Sequence, residues 1–368
     1  MVQQASGAAR PRVAVLGAGN GGLATAGHLQ LLGYRVTVWQ HPAYRETIKP
    51  FLDGELLRVE TLPSSGLPQG SVELRVTTDM AAALEAADVV LVIVPAYVHA
   101  EIARLAAPYL RAGQVVILSP GYLGSLEFSR ILAETGAHPE ILLAETESLI
   151  YAVRLKSPTH VWIRGYKHAL RVAAFPARRN PELLRLFRQF YPESEPAASI
   201  LETALSNANA LIHTPLMLLN GARIDRWGGG FLFYHEGMAP VVGRLIEALD
   251  REKLAIGAAL GLTNLRTIFE QDLAWYGHQG AAGENIYHTH ITNPIYKWSQ
   301  APQGFEHRYI SEDVPYGLVL MESLGRLVGV PTPRISAMIE LFAAALGEPL
   351  RVKGRTLERL GLDDLTPE

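Results

Sequence analysis

The chain of 368 residues contains no cysteine, which excludes disulfides, thiolate nucleophiles and cysteine metal sites. No metal centre is expected. The chain also lacks an excess of either charge, with a formal net charge of −3, so a nucleic-acid partner, which needs a basic face, is not expected. Apolar runs such as residues 89–94 are far too short to span a membrane. Residues 1–10 carry no apolar segment of a secretory signal, and we therefore expect a soluble cytoplasmic protein.

A glycine-rich turn is the most informative motif. The pattern G-x-G-x-x-G, formed by Gly17, Gly19 and Gly22, follows a β-branched run at 12–16 and opens a helical stretch. Asn20 lies within this turn. In a βαβ unit that binds a dinucleotide, the first glycine permits the tight turn, the second admits the pyrophosphate and the third allows close helix packing. The alternative is a structural glycine turn in an unrelated α/β protein.

Strands and helices alternate along the first half of the chain, which predicts a parallel sheet. Predicted strands are 12–16, 35–39, 72–77, 89–94, 114–121 and 141–147, with two more around a Gly-Tyr-Lys turn within 160–175.

A polar, proline-containing segment at 191–196 predicts a domain boundary. Beyond it, helical periodicity predicts helices over 238–261, 315–328 and 333–346, the last two opened by proline. The predicted fold class is α/β, with an N-terminal Rossmann dinucleotide-binding domain (1–195) and a mostly α-helical substrate domain (196–368).

The end of the second strand bears on the choice between NAD and NADP. An NAD site expects a carboxylate there for the ribose 2′-hydroxyl, whereas this chain has Gln40 and His41. Arg45 follows closely and could pair with a 2′-phosphate. This pattern favours NADP over NAD. In the alternative interpretation, Arg45 is solvated and Gln40 binds the plain ribose.

Two further turns are predicted to line the cofactor cleft, because ligands bind at the carboxyl ends of parallel strands. One contains Pro95, with His99 nearby, and the other is Ser119-Pro120-Gly121. Alternatively, Pro95 only ends a strand and His99 only lies on a helix face.

Candidate chemical groups lie in the second domain. Asn209 and His213 are four residues apart, which places them on one helix face. Arg308 could hold a carboxylate, and Asp313 could orient a histidine. The alternatives are a core histidine bonded to a backbone carbonyl, a surface salt bridge for Arg308, and a helix N-cap for Asp313.

The order of these segments resembles the octopine/nopaline (opine) dehydrogenases, over nearly the whole chain. The resemblance rests on the glycine turn, on Ala144-Glu145-Thr146-Glu147 leading to Arg154, on Lys167, on Asn-x-Asn-x-x-x-His at 207–213, on Phe-Tyr-His-Glu-Gly at 233–237, and on Arg308-Tyr309 through Gly317. It implies NAD(P)H-dependent reductive condensation of an amino acid with a 2-oxo acid.

The resemblance also implies residue roles. His213 is then the acid/base group, Asp313 its partner, Arg308 the cation for the 2-oxo acid carboxylate, and Glu147 a contact of the amino acid. Ile150 stands where a proline is common in that segment, so the placement of Glu147 is open. Tyr296 and Trp298 are further candidates for the substrate pocket.

Two other functions remain open from the sequence. A simple 2-oxo acid reductase of the ketopantoate kind would share the first domain, and a non-catalytic dinucleotide sensor would need no acid/base pair. The sequence leaves open the substrate pair, the product stereochemistry and the physiological direction. The apolar C-terminal helices fit either a homodimer interface or the core of the domain.

Overall fold

The computed structural model describes residues 10–137 and 139–362. The expectation about a leader at residues 1–10 therefore lies almost wholly outside the described residues. Its strands are β1 (Val13–Leu16), β2 (Val36–Trp39), β3 (Leu57–Thr61), β4 (Gly70–Val72), β5 (Arg75–Thr77), β6 (Val89–Val92), β7 (Val115–Leu118), β8 (Leu142–Thr146), β9 (Tyr151–Ser157), β10 (His160–Tyr166), β11 (Arg171–Phe175) and β12 (Glu195–Pro196).

The α-helices follow the same chain order. They are α1 (Asn20–Leu31), α2 (Lys49–Leu52), α3 (Met80–Leu84), α4 (His99–Ala106), α5 (Gly124–Glu134), α6 (Asn180–Phe187), α7 (Ile200–Leu205), α8 (Asn209–Leu219), α9 (Gly221–Trp227), α10 (Pro240–Ala259), α11 (Ile268–Tyr276), α12 (Ile286–Thr292), α13 (Arg308–Ser311), α14 (Val319–Leu327), α15 (Pro333–Leu346) and α16 (Leu350–Lys353). None of the helices in the described ranges is long and apolar enough to cross a membrane.

The main sheet has the order β12-β11-β8-β7-β6-β1-β2-β5, parallel except between β8 and β11. Strand β1 lies between β2 and β6, with Val13 opposite both Val36 and Val89. Both faces of β1 are buried, because Val13 and Val15 enter one hydrophobic core while Ala14 and Leu16 enter another. The chain order reverses between β1 and β6, and this switch point opens a crevice at the carboxyl ends of both strands.

A second, four-stranded sheet has the order β4-β3-β10-β9 and was not predicted. It covers the outer side of α1, where a Cβ on Gly27 would lie 2.5 Å from a methyl carbon of Val59. Residues Gly22–Leu29 of α1 are consequently all buried. A helix enclosed by two sheets has no polar face, which explains why its periodicity gave no sign of the second sheet.

Two strand predictions are corrected. The single strand predicted at 72–77 is wrong, because the chain leaves β4 of the small sheet at Val72 and enters β5 of the main sheet at Arg75. The strands predicted within 160–175 both exist, but Gly165 and Tyr166 belong to β10 and the turn follows them. β10 and β11 then lie in different sheets and do not pair.

Helices α7 to α15 pack around a separate core. Helix α10 matches the predicted helix over 238–261, and Gly261 closes it with a φ of +73°. Helix α15 matches the prediction over 333–346. The prediction over 315–328 is wrong at its start, because a π-helical turn over Asp313–Leu318 places Pro315 inside the helical segment.

The described residues place the apolar faces of α14 and α15 in the helical core, through Leu320, Met321, Ile335 and Phe342. These faces therefore need no second subunit for burial, and a homodimer stays a prediction. The predicted domain boundary at 195/196 falls within β12, at the edge of the main sheet, and it also stays a prediction.

Two glycine substitutions test the close approach of α1 to the sheet. A Cβ on Gly22 would collide with the carbonyl oxygen of Gly17, whereas a Cβ on Gly19 would meet nothing within 4 Å. We expect Gly22→Ala to lower the free energy of unfolding by about 1–3 kcal/mol, the usual cost of overpacking. Gly19→Ala is the matched control and should unfold with the wild type in a thermal melt. Equal melting of all three proteins would contradict the packing argument.

Candidate active site

A cavity lies between the sheet and the helical half, at the switch point. Turns after β1, β6 and β7 form one side, β9 and β10 form a second, and helices α8 and α13 form a third. Its lining includes Gly19, Asn20, Pro95, Ser119, Pro120, Arg154, Arg164, Lys167, Asn209, His213, Tyr234, Tyr296, Arg308, Tyr309 and Glu312.

The glycine turn fits a dinucleotide. Gly17 has a φ of +110°, and a Cβ there would lie 2.5 Å from the carbonyl oxygen of Ile93, so only glycine suits the turn. Gly19 faces open space in the cavity, which leaves room for a ligand against its backbone. No side chain of the described residues caps α1, so the start of this helix is available to a phosphate. Asn20 lines the cavity, and its Oδ1 accepts a hydrogen bond from Leu155 N at 2.9 Å.

The end of β2 carries no carboxylate in line with the strand. Gln40 Nε2 donates to Thr47 Oγ1 at 2.8 Å, and Gln40 Oε1 accepts from His41 N at 3.0 Å. His41 Nε2 lies 3.2 Å from a carboxylate oxygen of Glu101. Arg45 is exposed. These side chains leave both earlier interpretations of the ribose site open.

The two predicted cleft turns behave differently. Pro95 lines the cavity, as do Ser119 and Pro120. Gly121 does not, because it packs against buried Glu145, whose carboxylate a Cβ on Gly121 would strike. The prediction that Gly121 contacts the cofactor is therefore corrected to a packing role. His99 is fully buried and belongs to the helix face, as its alternative interpretation proposed.

His213 and Asp313 form a buried pair, although they are 100 residues apart. His213 Nδ1 lies 2.6 Å from Asp313 Oδ2, and the Tyr122 hydroxyl donates to Asp313 Oδ1 at 2.9 Å. His213 Nε2 lies 2.7 Å from the hydroxyl oxygen of Tyr234. The ring of Tyr309 stacks on the imidazole at a centroid distance of 3.7 Å. These contacts exclude the backbone-bonded core histidine. Asp313 is the first residue of its helical segment, after the N-cap residue Glu312, and its side chain makes no cap bond.

Burial controls the charge of this pair. It holds the pKa of His213 well below its usual value, and nearby Arg308 and Arg154 lower it further. Burial raises the pKa of Asp313 to about 7, against the lowering effect of Arg308. Both shifts have burial as their largest cause, and both favour the neutral forms of the imidazole and the carboxyl group. An acid/base group whose proton is exchanged near neutral pH suits proton transfer in catalysis.

Arg308 lies at the mouth of the cavity on α13. Its side chain is 41% exposed, and its Nη1 is 3.6 Å from Glu312 Oε2. Glu312 is buried and also accepts a hydrogen bond from Ala96 N at 2.9 Å. Burial raises the pKa of Glu312 to about 7, although Arg308 lowers it. Arg308 is thus an ion-pair member, as one alternative proposed, but it faces the cavity rather than the outer surface.

The comparisons with known proteins agree with this geometry. Residues 196–346 match the model of the NAD/NADP octopine/nopaline dehydrogenase α-helical domain, and residues 12–132 match the N-terminus of NAD-dependent glycerol-3-phosphate dehydrogenase. An opine dehydrogenase of Arthrobacter sp. (strain 1C) is 39% identical over 355 residues, which cover 96% of each chain. This chain belongs to the opine dehydrogenase family. It is an NAD(P)-dependent oxidoreductase that acts on CH–NH bonds.

More distant relatives share the fold. The vitopine synthase of Allorhizobium ampelinum is 28% identical over 97% of both chains. A structure of octopine dehydrogenase with NADH and L-arginine superposes with a TM-score of 0.76 at 22% identity, over 97% of this chain and 96% of the other.

The position of Glu147 departs from the role that the family resemblance implied. Glu147 is 1% exposed and is not part of the cavity lining. Its carboxylate accepts hydrogen bonds from Arg171 N at 3.0 Å and Trp275 Nε1 at 2.8 Å. These bonds occupy it behind the cavity wall, so a direct contact with substrate is corrected to support of Trp275, which does line the cavity.

Several lining residues had no predicted role. Tyr234 and Tyr309 fall within segments that carry the family resemblance, but only the folded chain shows their contacts with His213.

Of the two aromatic candidates for the substrate pocket, Tyr296 lines the cavity, whereas Trp298 is 49% exposed and lies outside it. Asn209 shares the cavity with His213, as their spacing predicted. No sequence signal singled out Arg164.

Lys167 supplies a pH test of the site. Its Nζ donates to Ser148 Oγ at 2.9 Å and to the Leu149 carbonyl at 2.7 Å. Burial lowers the pKa of Lys167 to about 7, although Glu147 partly opposes the shift. The cation is therefore present below about pH 7 and lost above it.

We expect the KM for the anionic substrates to rise between pH 6 and pH 8 in the wild type, because their carboxylates stay charged while Lys167 loses its charge. Lys167→Met should raise KM at pH 6 and flatten this rise. Steady-state kinetics at the two pH values measure both effects. An unchanged pH profile in the variant would show that Lys167 is not the titrating group.

Proposed function

We propose that His213 is the acid/base group of an NAD(P)H-dependent reductive condensation of an amino acid with a 2-oxo acid. The hydrogen-bonded chain Asp313–His213–Tyr234 carries this proposal, because it places His213 at the cavity surface with a carboxyl group bonded behind it. Asp313 holds the imidazole through Nδ1, and Tyr309 fixes its plane by stacking. The other ring nitrogen, Nε2, is proposed to exchange the proton. It contacts the Tyr234 hydroxyl, which a substrate group would replace or share.

The proton balance of the condensation suits one shuttling group. The substrate ammonium gives up two protons, and the carbonyl oxygen leaves with both as water, so dehydration to the iminium consumes no net proton. His213 accepts a proton from nitrogen and returns it to the departing oxygen. A bound dinucleotide supplies the hydride that reduces the C=N bond. Enclosure between the two domains keeps water from the hydrolysable iminium.

Arg308 is proposed to bind the carboxylate of the 2-oxo acid. Its guanidinium faces the cavity near His213, and its partner Glu312 is held by Ala96 N. An anionic substrate would share or replace Glu312 on Arg308, since a guanidinium has five donors. Asn209, on the same helix face as His213, is proposed to donate a hydrogen bond to the substrate.

NADP is the proposed cofactor over NAD. The support is the absence of a carboxylate at Gln40 and the exposed Arg45, which can reach a 2′-phosphate. The proposed location is the cytoplasm. A homodimer is proposed as the assembly, and size-exclusion chromatography with light scattering tests it.

Cofactor oxidation tests the reaction directly. We would follow the absorbance of NADPH and of NADH with pyruvate or 2-oxoglutarate, each with and without a panel of amino acids. Turnover should require both an oxo acid and an amino acid, and it should be faster with NADPH. Turnover with an oxo acid alone would instead indicate a simple reductase. Faster turnover with NADH would indicate that Gln40 binds a plain ribose.

Replacing the proposed acid/base group should separate chemistry from binding. We expect His213→Asn to lower kcat/KM by roughly 10²–10⁴-fold, the usual contribution of a positioned acid/base group. Binding of NADPH, measured by fluorescence titration, should be unchanged. His288→Asn, an exposed histidine on α12, is the matched control. Turnover of His213→Asn close to that of the wild type would reject the assignment.

A further inference from the structure

One buried guanidinium in the cavity has no counter-charge. Arg164, on β10, is 3% exposed and lines the cavity. Its Nη1 donates to Ser299 Oγ at 3.1 Å, and its Nε is buried without any hydrogen-bond partner among the described residues. No carboxylate of the described residues lies within 4 Å of the Arg164 guanidinium.

The other buried arginines of the described residues each have a carboxylate partner. Arg171 pairs with Glu202 at 2.7 Å, and Arg355 pairs with Glu127. Neither lines the cavity. The chain therefore neutralises its structural arginines with carboxylates and leaves Arg164, which faces the cavity, without one.

A second cation stands beside Arg164. Arg154, on β9, also lines the cavity and donates to the Tyr309 hydroxyl at 3.2 Å. Burial and then the charge of Arg154 lower the pKa of Arg164 to about 10. Two neighbouring guanidinium groups without an acid repel each other, and a buried charge that lacks a partner is costly to the fold. An anionic ligand would relieve both costs, and a carboxylate matches the planar guanidinium in a bidentate contact.

We propose that Arg164 and Arg154 form a second carboxylate subsite, which binds the α-carboxylate of the amino acid while Arg308 binds that of the 2-oxo acid. This inference rests on the proposed function. The secondary amine product carries one carboxylate on each carbon next to its nitrogen, so the reaction needs two separate anion sites. Arg154 contacts Tyr309, which stacks on His213, and the subsite therefore adjoins the acid/base group.

Binding of a product-like dicarboxylate tests the subsite without turnover. Iminodiacetate is a secondary amine with two carboxylates, and sarcosine is a matched secondary amine with one. Titration calorimetry would measure both compounds on the enzyme with NADPH bound. The proteins compared are the wild type, Arg164→Gln, Arg164→Lys and the control Arg104→Gln, which changes an exposed arginine on α4.

We expect the wild type and Arg104→Gln to bind iminodiacetate about 10- to 100-fold more tightly than sarcosine, the scale of one charge-assisted contact. Arg164→Gln should lose most of this preference, and Arg164→Lys should keep part of it. Arg164→Gln should melt at or above the wild-type temperature, because it removes an unpaired buried charge. A structural arginine would instead lower the melting temperature when replaced.

The preference ratio decides the proposal. An Arg164→Gln enzyme that retains the wild-type preference, or a wild type without any preference, overturns the subsite. Weaker binding of NADPH alone in Arg164→Gln, with the preference intact, would assign Arg164 to the cofactor instead. The outcome is separate from that of the proposed function, which is tested by the dependence of wild-type turnover on both substrates and by the His213→Asn variant.

The carboxylate in the subsite could come from the amino acid or from the distal end of a dicarboxylic oxo acid, and kinetics distinguishes these two sources. In Arg164→Gln, the KM for L-leucine should rise by about 10- to 100-fold while the KM for pyruvate changes little. 3-Methylbutylamine, which is leucine without its carboxylate, should react equally poorly with the wild type and the variant. A rise confined to the KM for 2-oxoglutarate would place the distal carboxylate of that acid in the subsite and overturn the assignment to the amino acid.

Discussion

The contact of Gly22 with the carbonyl oxygen of Gly17 is the constraint on which the site depends. It sets the distance between the start of α1 and the end of β1, and thereby the depth of the crevice at the switch point. On the other side of α1, the small sheet packs closely against the helix at Gly27. Because β9 and β10 of that sheet also carry Arg154 and Arg164, the same packing that forms the cofactor turn positions two of the cavity cations.

Local patterns predicted the parts of the fold whose signals are local. The turn around Gly17 and the buried strands β1, β6 and β7 are each encoded within a few residues, and α10 and α15 carry clear periodicity and caps. The small sheet was missed because its two halves, β3–β4 and β9–β10, are distant from each other in sequence and because α1 is buried on every side. The break between β4 and β5 was missed because both halves have strand-like composition, and only tertiary packing separates them.

The residues of the site also divide into those with a local sequence signal and those that only tertiary structure identifies. His213, Asp313 and Arg308 were chosen from the residue types and the family resemblance. The fold brings His213 and Arg308 to one cavity and places Asp313 behind His213. Gly121 and Glu147 were misplaced because motif order gives position along the chain and not the direction of a side chain. Arg164 could not be found from sequence, since its distinguishing property is the lack of an acid nearby, which exists only after folding.

Glu312 connects the two sides of the cavity. One carboxylate contacts both Arg308, on the helical side, and the backbone of Ala96, directly after Pro95 on the sheet side. Arg308 is therefore linked through Glu312 to the turn that follows β6. Because this one carboxylate contacts both sides of the cavity, replacing Glu312 would remove an ion pair and a bond to the turn after β6 at the same time.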